Sequence, residues 1–270
     1  MNEVAILGAG PSGLMAALAA QELGYTPTIY SRKVKSQIYA AMFLHRALPW
    51  VTNLIPDFLV KVVKEGTAEG YAEKVYGDPE HPVSWDKFEE GEVAAWDLRK
   101  TYDRLWNLFD HDIIEYDLTV ISVKDILNEH EVVFSSIPAR ALCYRSHIFS
   151  CQPIWVHTMY SERLAENESM MWYNGGDQMP WYRYSQIKGH RAWEYSYDPG
   201  PDGRYKTVHG KKPLGTNCTC FPDIKRIGRF GKWEKQVLTH HCYEEVRDAL
   251  LAMREASDAR SRHRHRRHAS

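Results

Sequence analysis

Ile6-Leu7-Gly8-Ala9-Gly10-Pro11-Ser12-Gly13-Leu14 is the stretch on which the fold turns. Residues 3–8, EVAILG, read as a short buried strand leading into it, and residues 12–24 as an Ala/Leu-rich helix leaving it. Residues 26–31, TPTIYS, read as a second strand, which completes a β-α-β unit at the first residues of the chain. Gly8, Gly10 and Gly13 fit G-x-G-x-x-G, and each has its own task. Gly8 permits the tight turn out of the strand, Gly10 lets a pyrophosphate approach the backbone, and Gly13 lets the helix pack close to the strand. Pro11 and Ser12 complete the loop, and the Ser12 hydroxyl adds a polar group. The helix N-terminus offers N–H groups and a positive dipole end to phosphates.

A dinucleotide grip of this kind expects an acid about twenty residues on, bonded to the ribose hydroxyls. The matching position is Ser31, followed by Arg32 and Lys33. Two arrangements answer the missing acid. In one, Arg32 and Lys33 meet the 2′-phosphate of NADP. In the other, Ser31 bonds the ribose of FAD and Arg32 stacks on its adenine. A solvated strand end that binds nothing is the third reading.

Beyond this unit, residues 56–65, PDFLVKVVKE, read as a helix opened by Pro56 and Asp57. A stronger helix is expected over 92–110, where Leu98, Tyr102, Leu105, Trp106 and Phe109 form one apolar stripe. DLTVISVKDI (117–126) and EVVFSSIP (131–138) read as two strands, and residues 148–197 as antiparallel strands separated by Gly/Pro/Asp turns. A closing helix is expected over 233–256, with Val246, Ala249, Leu250 and Met253 on one face. The expected class is α/β. A Rossmann-like dinucleotide-binding domain is interrupted by a helical segment and a small antiparallel β part that covers substrate.

The 270 residues carry a formal net charge of −1, so no global field favours nucleic acid or membrane. Residues 260–270, RSRHRHRRHAS, hold five arginines and no acid; without them 29 basic face 35 acidic residues, a charge of −6. This tail is expected to be disordered, and either tethers nucleic acid by counterion release or solubilises the chain. Five irregularly spaced cysteines imply no disulfide framework. With neither a signal-peptide pattern nor a membrane-length apolar run, a cytoplasmic protein is expected.

The first 35 residues resemble the FAD-binding start of the flavoprotein class that includes amine oxidases and UDP-galactopyranose mutase. HEVVFSSIPARAL (130–142), with Ser136 in it, resembles the strand-turn segment of that class. RIGRFGKWEKQVLTHHCYEEV (226–246) resembles its closing FAD segment, which implies that Gly228, Arg229, Gly231 and Trp233 lie near the flavin or its diphosphate. SQIYAAMFLH (36–45) sits where the class passes chain beside the isoalloxazine. The chain also resembles a compact family of this kind found in phage genomes. The resemblance covers about half of the chain and departs from the class at Ser31, where the usual residue is Glu. It implies FAD rather than NADP, and a discontinuous FAD domain of 1–45, 115–149 and 220–258. Residues 46–114 and 150–219 form the insertion, and 259–270 the tail.

Candidate catalytic residues beside a flavin are His45, Tyr182 and Arg183; among the histidines, His45, His240 and His241 are candidate proton donors or acceptors, since an imidazole titrates near neutral pH. PWYRYSQIKG (180–189) and MMWYNGG (170–176) interleave aromatics with Arg183 and Lys188. Such a face either stacks a base or sugar or packs a sheet. Cys218-x-Cys220 with His209 upstream and His240 downstream is a conceivable zinc set, but the spacing fits no strong pattern, and no metal is expected. The functional expectation is an FAD-dependent oxidoreductase acting on a small or nucleotide-like substrate, with nucleobase modification in a phage as one version. The alternatives are a non-redox flavin mutase or lyase, and an NADP- or dinucleotide-binding protein without turnover.

Overall fold

The structure, a computed structural model, describes residues 3–87, 90–165 and 168–268; the side chains at 87, 258 and 260–268 lie outside that description. In chain order the elements are β1 (Glu3–Leu7), α1 (Pro11–Glu22), β2 (Thr26–Ser31), β3 (Phe58–Gly66), α2 (Ala68–Tyr76) and β4 (Gly91–Ala95). Then follow α3 (Leu98–Phe109), β5 (Ile113–Glu115), α4 (Val120–Glu129), β6 (Val132–Ser135), β7 (Phe149–Tyr160) and β8 (Ser169–Gly175). The chain ends with β9 (Arg183–Ile187), β10 (His190–Tyr195), β11 (Lys206–Thr216), β12 (Ile224–Arg226), α5 (Gly228–Lys232) and α6 (His241–His268).

The chain divides into two compact units. The first is 1–36, 104–149 and 215–270; the second is 37–103 and 150–214. In the first, five strands lie in the order β12-β6-β1-β2-β5, and every pairing is parallel. From β1 the chain crosses through α1 to β2 on one side, while β6 and β12 extend the sheet on the other. The order reverses between β1 and β6, and a doubly wound sheet binds its ligand at the carboxyl ends of such a pair. Residues 13–20 of α1 are all buried, so this helix is apolar on every side and has protein all round it. One covering element is α6, whose Tyr243 hydroxyl donates to Glu22 and whose Arg254 donates to the Leu23 carbonyl.

The second unit is a seven-stranded sheet, β11-β7-β10-β9-β8-β3-β4. The expected antiparallel strands of 148–197 are present: β7, β10, β9 and β8 pair antiparallel in turn. Its core joins Val60, Tyr71, Val75, Ile154, Tyr182 and Ala192.

Two expected helices begin later than expected: residues 91–95 pair with β3 as β4, so the helix expected over 92–110 starts at Leu98, and the closing helix starts at His241 rather than 233. Three further elements differ in kind or extent. Residues 58–66 form β3 rather than a helix; Val60 and Val62 are its buried residues, with Lys61 exposed between them, the two-residue period of a sheet. Residues 120–129 form α4 rather than a strand, although Val120, Ile121 and Val123 favour a strand locally. Thr119 caps it, accepting from the Ser122 N–H while the Ser122 side chain answers the Thr119 N–H, and Val123 and Ile126 bury one face. The tail is the third. The helical backbone of α6 continues to His268, where disorder was expected from 259. A helix already begun extends at little cost through good helix formers such as Arg. The tail side chains on which nucleic-acid contact was argued lie outside the described residues. Among the described residues, no helix is long and apolar enough to cross a membrane.

Candidate dinucleotide site

Three segments meet where β1, β6 and β12 end. The Gly8 N–H bonds the Tyr30 carbonyl at 2.9 Å, and φ of +102° at Gly8 turns the chain out of the strand. A Cβ on Gly8 would lie 2.7 Å from Ser136 Oγ, and one on Gly13 would lie 1.8 Å from the Gly8 carbonyl oxygen. Both glycines are therefore demanded by the protein's own packing. Ser136 joins the loop to β6: its N–H bonds the Leu7 carbonyl at 2.9 Å and its hydroxyl donates to the same oxygen at 3.1 Å.

The third segment is the turn into α5. The Ile227 N–H bonds the Ser135 carbonyl at 2.9 Å, and a Cβ on Gly231 would stand 2.4 Å from that same oxygen. Gly228, at φ +70°, comes so close to α1 that a Cβ would sit 2.9 Å from Ser12 Oγ. Gly8, Ser12, Gly13, Ser136, Gly228 and Gly231 thus form one packed constellation from stretches more than ninety residues apart in sequence.

Gly10 stands apart. Its φ of −73° and ψ of 174° suit any residue, and a Cβ there would meet nothing nearer than Ser36 Oγ at 3.9 Å. Neither backbone strain nor packing accounts for glycine here. Gly10 is the N-cap of α1 and supplies no side-chain cap, and Pro11 follows at the helix start. The first-turn N–H groups have no acceptor within the helix, which is the electrostatic setting of an anion site.

Ser31 ends β2 half-buried, and Arg32 and Lys33 are exposed, Lys33 in the left-handed region at φ +52°. The carboxylate that β2 lacks stands on the next strand. Glu115, exposed at the end of β5, is the register partner of Ser31, so the two side chains share a face. The sequence could not reveal this, because the pairing joins residues far apart in the chain.

Arg229 is half-buried, and its Nε donates to the Val237 carbonyl at 3.3 Å. Trp233 is 4% exposed and packs edge-on against Phe149 at 5.4 Å, which commits most of its ring to the core. Arg229→Ala tests whether this turn also holds an anion. Loss of a charge-assisted contact would weaken binding of an anionic cofactor by ~1.5–3 kcal/mol, roughly ten- to hundredfold, in a titration. Unchanged affinity would leave Arg229 a purely structural part of the turn.

Solved structures share this fold. The chain aligns over 94% of its length with 96% of reduced UDP-galactopyranose mutase, at 13% identity and a TM-score of 0.54. It aligns over 95% with 82% of the p-nitrophenol 4-monooxygenase PnpA from Pseudomonas putida DLL-E4, at 11% identity and a TM-score of 0.52. The chain has the flavoprotein fold. Against the rebeccamycin biosynthetic enzyme RebC with reduced flavin, 85% of the chain aligns with 55% of that protein, at 10% identity and a TM-score of 0.51. No family model matches the chain, and no curated protein sequence does. At these identities the likeness speaks for fold alone.

The three candidate catalytic residues, His45, Tyr182 and Arg183, all lie in the second unit. His45 is exposed, its ring 4.5 Å from that of Phe43. Tyr182, 1% exposed, and Arg183 belong to an ion network around Glu194, itself 1% exposed. Arg183 Nε donates to Glu194 Oε1 at 2.8 Å, while Lys212 Nζ and the Tyr182 hydroxyl each reach Oε2 at 3.0 Å. Burial works against the Glu194 carboxylate, but Arg183 and Lys212 outweigh it and hold its pKa down at about 2. Burial, then the same carboxylate, push the Tyr182 hydroxyl well above its ordinary value, so it stays protonated.

The other face of this sheet carries an aromatic row. Trp172, Tyr184 and Trp193 are register neighbours on β8, β9 and β10, and each is half-buried. Tyr184 and Trp193 have ring centres 5.1 Å apart, and Trp193 and Tyr205 4.8 Å apart.

Proposed function

We propose that the chain binds FAD through the first unit and is a flavin-dependent oxidoreductase. The observation that carries this is Gly10: the protein's own backbone and packing do not require glycine there, whereas an approaching pyrophosphate does. The residues present fit the group. Gly10 and the first turn of α1 would cradle the diphosphate, Arg229 would add charge, and Ser31 with Glu115 would accept from the ribose hydroxyls. FAD, when bound, supplies hydride or electron transfer; the protein supplies orientation and electrostatics.

The substrate proposed is small or nucleotide-like. The half-buried aromatic row of the second unit supports this, since a base or sugar stacks on such rings at a gain of about 1–3 kcal/mol per base. Modification of a nucleobase in phage DNA is one form of the reading. The fold shared with a mutase favours a second reading, in which the same cofactor serves non-redox chemistry.

The absorption spectrum of the purified protein is the first test. A flavin spectrum that bleaches on reduction and recovers with turnover of an added substrate supports an oxidoreductase; a protein that binds no flavin even on reconstitution overturns the reading. Ser31→Glu then separates the cofactors. With FAD the new carboxylate, although it stands beside Glu115, still accepts from the ribose hydroxyls, and FAD remains bound. With NADP it meets the 2′-phosphate, and like charges weaken binding sharply. Titrations of FAD, NAD and NADP on both forms read the result.

A further inference from the structure

The geometry points to a structural zinc site in the first unit, formed by Cys143, His147, Cys218 and Cys220. It is independent of the flavin reading. The four ligand atoms, three Sγ and one imidazole nitrogen, all lie within 4.8 Å of one another. Cys143 Sγ is 3.3 Å from His147 Nδ1, Cys220 Sγ is 3.6 Å from the same nitrogen, and the Cys143 and Cys220 sulfurs are 4.0 Å apart. With Zn–S of ~2.3 Å and Zn–N of ~2.0–2.1 Å, a tetrahedral ion needs edges of about 3.5–3.8 Å. The three separations among Cys143, His147 and Cys220 lie close to those edges, Cys218 Sγ stands within 4.8 Å of the other three ligand atoms, and a sulfur separation of 4.0 Å is about twice a disulfide bond.

The chemistry of the donors selects the metal. Three thiolates and an imidazole suit Zn²⁺, a borderline-soft ion with no redox step. Binding displaces the thiol protons to solvent and leaves a complex of charge −1. A counter-charge stands beside it: Arg226 Nη2 lies 3.4 Å from Cys218 Sγ and donates to the Cys220 carbonyl at 2.8 Å. Such outer partners fix ligand orientation and balance charge. His209, one of the two histidines considered with Cys218 and Cys220, is instead stacked on Trp155 at 4.6 Å in the second unit. The other, His240, is buried with its ring 4.6 Å from that of His241.

The position gives the ion a task. The chain leaves the first unit after Phe149 and returns at Gly215. Cys143 and His147 precede the exit, and Cys218 and Cys220 follow the return. Hydrogen bonds already tie the two stems, from the Ile148 N–H to Asn217 Oδ1 at 2.8 Å and from Thr216 Oγ1 to the Ile148 carbonyl at 2.7 Å. Zinc would cross-link them and anchor Cys220, which packs with Leu142, Phe221 and Ile224 in the core beneath β6 and β12. Closing the excursion at its neck makes zinc binding part of the folding free energy of this unit.

The test is metal analysis of the full-length protein, expressed in zinc-supplemented medium and purified under reducing conditions. About one zinc per chain is expected. Cobalt substituted for zinc should give the intense red d–d bands of a tetrahedral site, outside flavin absorption, and thiolate charge transfer in the near ultraviolet. Cys220→Ser and His147→Ala should lose the metal, His147→Cys should keep it as a four-cysteine site, and Cys151→Ser in the second unit should change nothing. If a variant fails to fold, the wild-type stoichiometry and cobalt spectrum still decide. Substoichiometric zinc in the wild type, a six-coordinate cobalt spectrum, or a Cys143–Cys220 disulfide in place of metal would overturn the site. A colourless protein holding one zinc would leave it standing while removing the flavin reading.

Discussion

Gly10→Ala should fold normally and purify with little or no cofactor, whereas Gly13→Ala should be strongly destabilised. The two glycines are three residues apart in one loop, yet the space around them differs. At Gly13 a methyl would lie 1.8 Å from the Gly8 carbonyl oxygen and 2.8 Å from Ser136 Oγ, and the nearer obstacle is backbone. Relieving it means moving α1 off β1, a cost of about 3 kcal/mol or more. At Gly10 the added methyl has 3.9 Å to its nearest neighbour and an ordinary backbone conformation, so the fold should lose only the difference between a glycine and an alanine N-cap, about 1 kcal/mol or less. The methyl would instead stand against the diphosphate. Thermal melts and flavin absorbance per chain separate the effects. A Gly10→Ala protein that retains full cofactor would show that this loop is not the phosphate site.

Glu194→Gln should be the most damaging conservative change in the second unit. Glu194 is the shared counter-ion of Arg183 and Lys212, and its removal leaves two partly buried cations facing each other across an amide. Breaking a buried pair from one side costs about 3–5 kcal/mol, which lowers Tm by roughly 10 °C at this size. The pH dependence follows from the depressed carboxyl. Its folded pKa of about 2 lies below the unfolded value of ~4.3, so its contribution is fully present above the unfolded value. It is lost as pH falls from about 4 toward 2, and the gap between wild type and variant should narrow over that window. Urea melts at neutral pH and at pH about 3 read both parts. Equal stability at neutral pH would mean that the network holds nothing together.

These two tests also separate what the buried candidates do. Tyr182 and Arg183 were picked from an aromatic, basic stretch because such stretches line pockets. In the folded chain Arg183 pairs with Glu194 one strand away and Tyr182 is bonded to the same carboxylate, eleven and twelve residues on in sequence. Composition cannot tell a cation that faces a ligand from one that neutralises a buried acid.

What the sequence determined by itself is what local chemistry decides. Strand, glycine turn and helix follow one another within the first two dozen residues, and Gly8 and Gly13 answer constraints set within that span or by the segment after the strand beside it. The antiparallel strands of the second unit announce themselves through β-branched and aromatic runs broken by turn residues. Where local preference and packing disagreed, packing won. The Val-rich start of α4 favours a strand, but its Thr119 cap and the burial of Val123 and Ile126 hold it helical. Residues after Pro56 look like a helix start, but β8 and β4 pair on either side of β3 and draw them into the sheet. Only the tertiary structure could place Glu115 beside Ser31, close the turn at Gly228 and Gly231 onto the first loop, and gather Cys143 and His147 with Cys218 and Cys220. Each joins residues many tens of positions apart; parallel pairing in the first sheet brings the first two sets together, and the bonds of Ile148 to Asn217 and Thr216 hold the stems that carry the third.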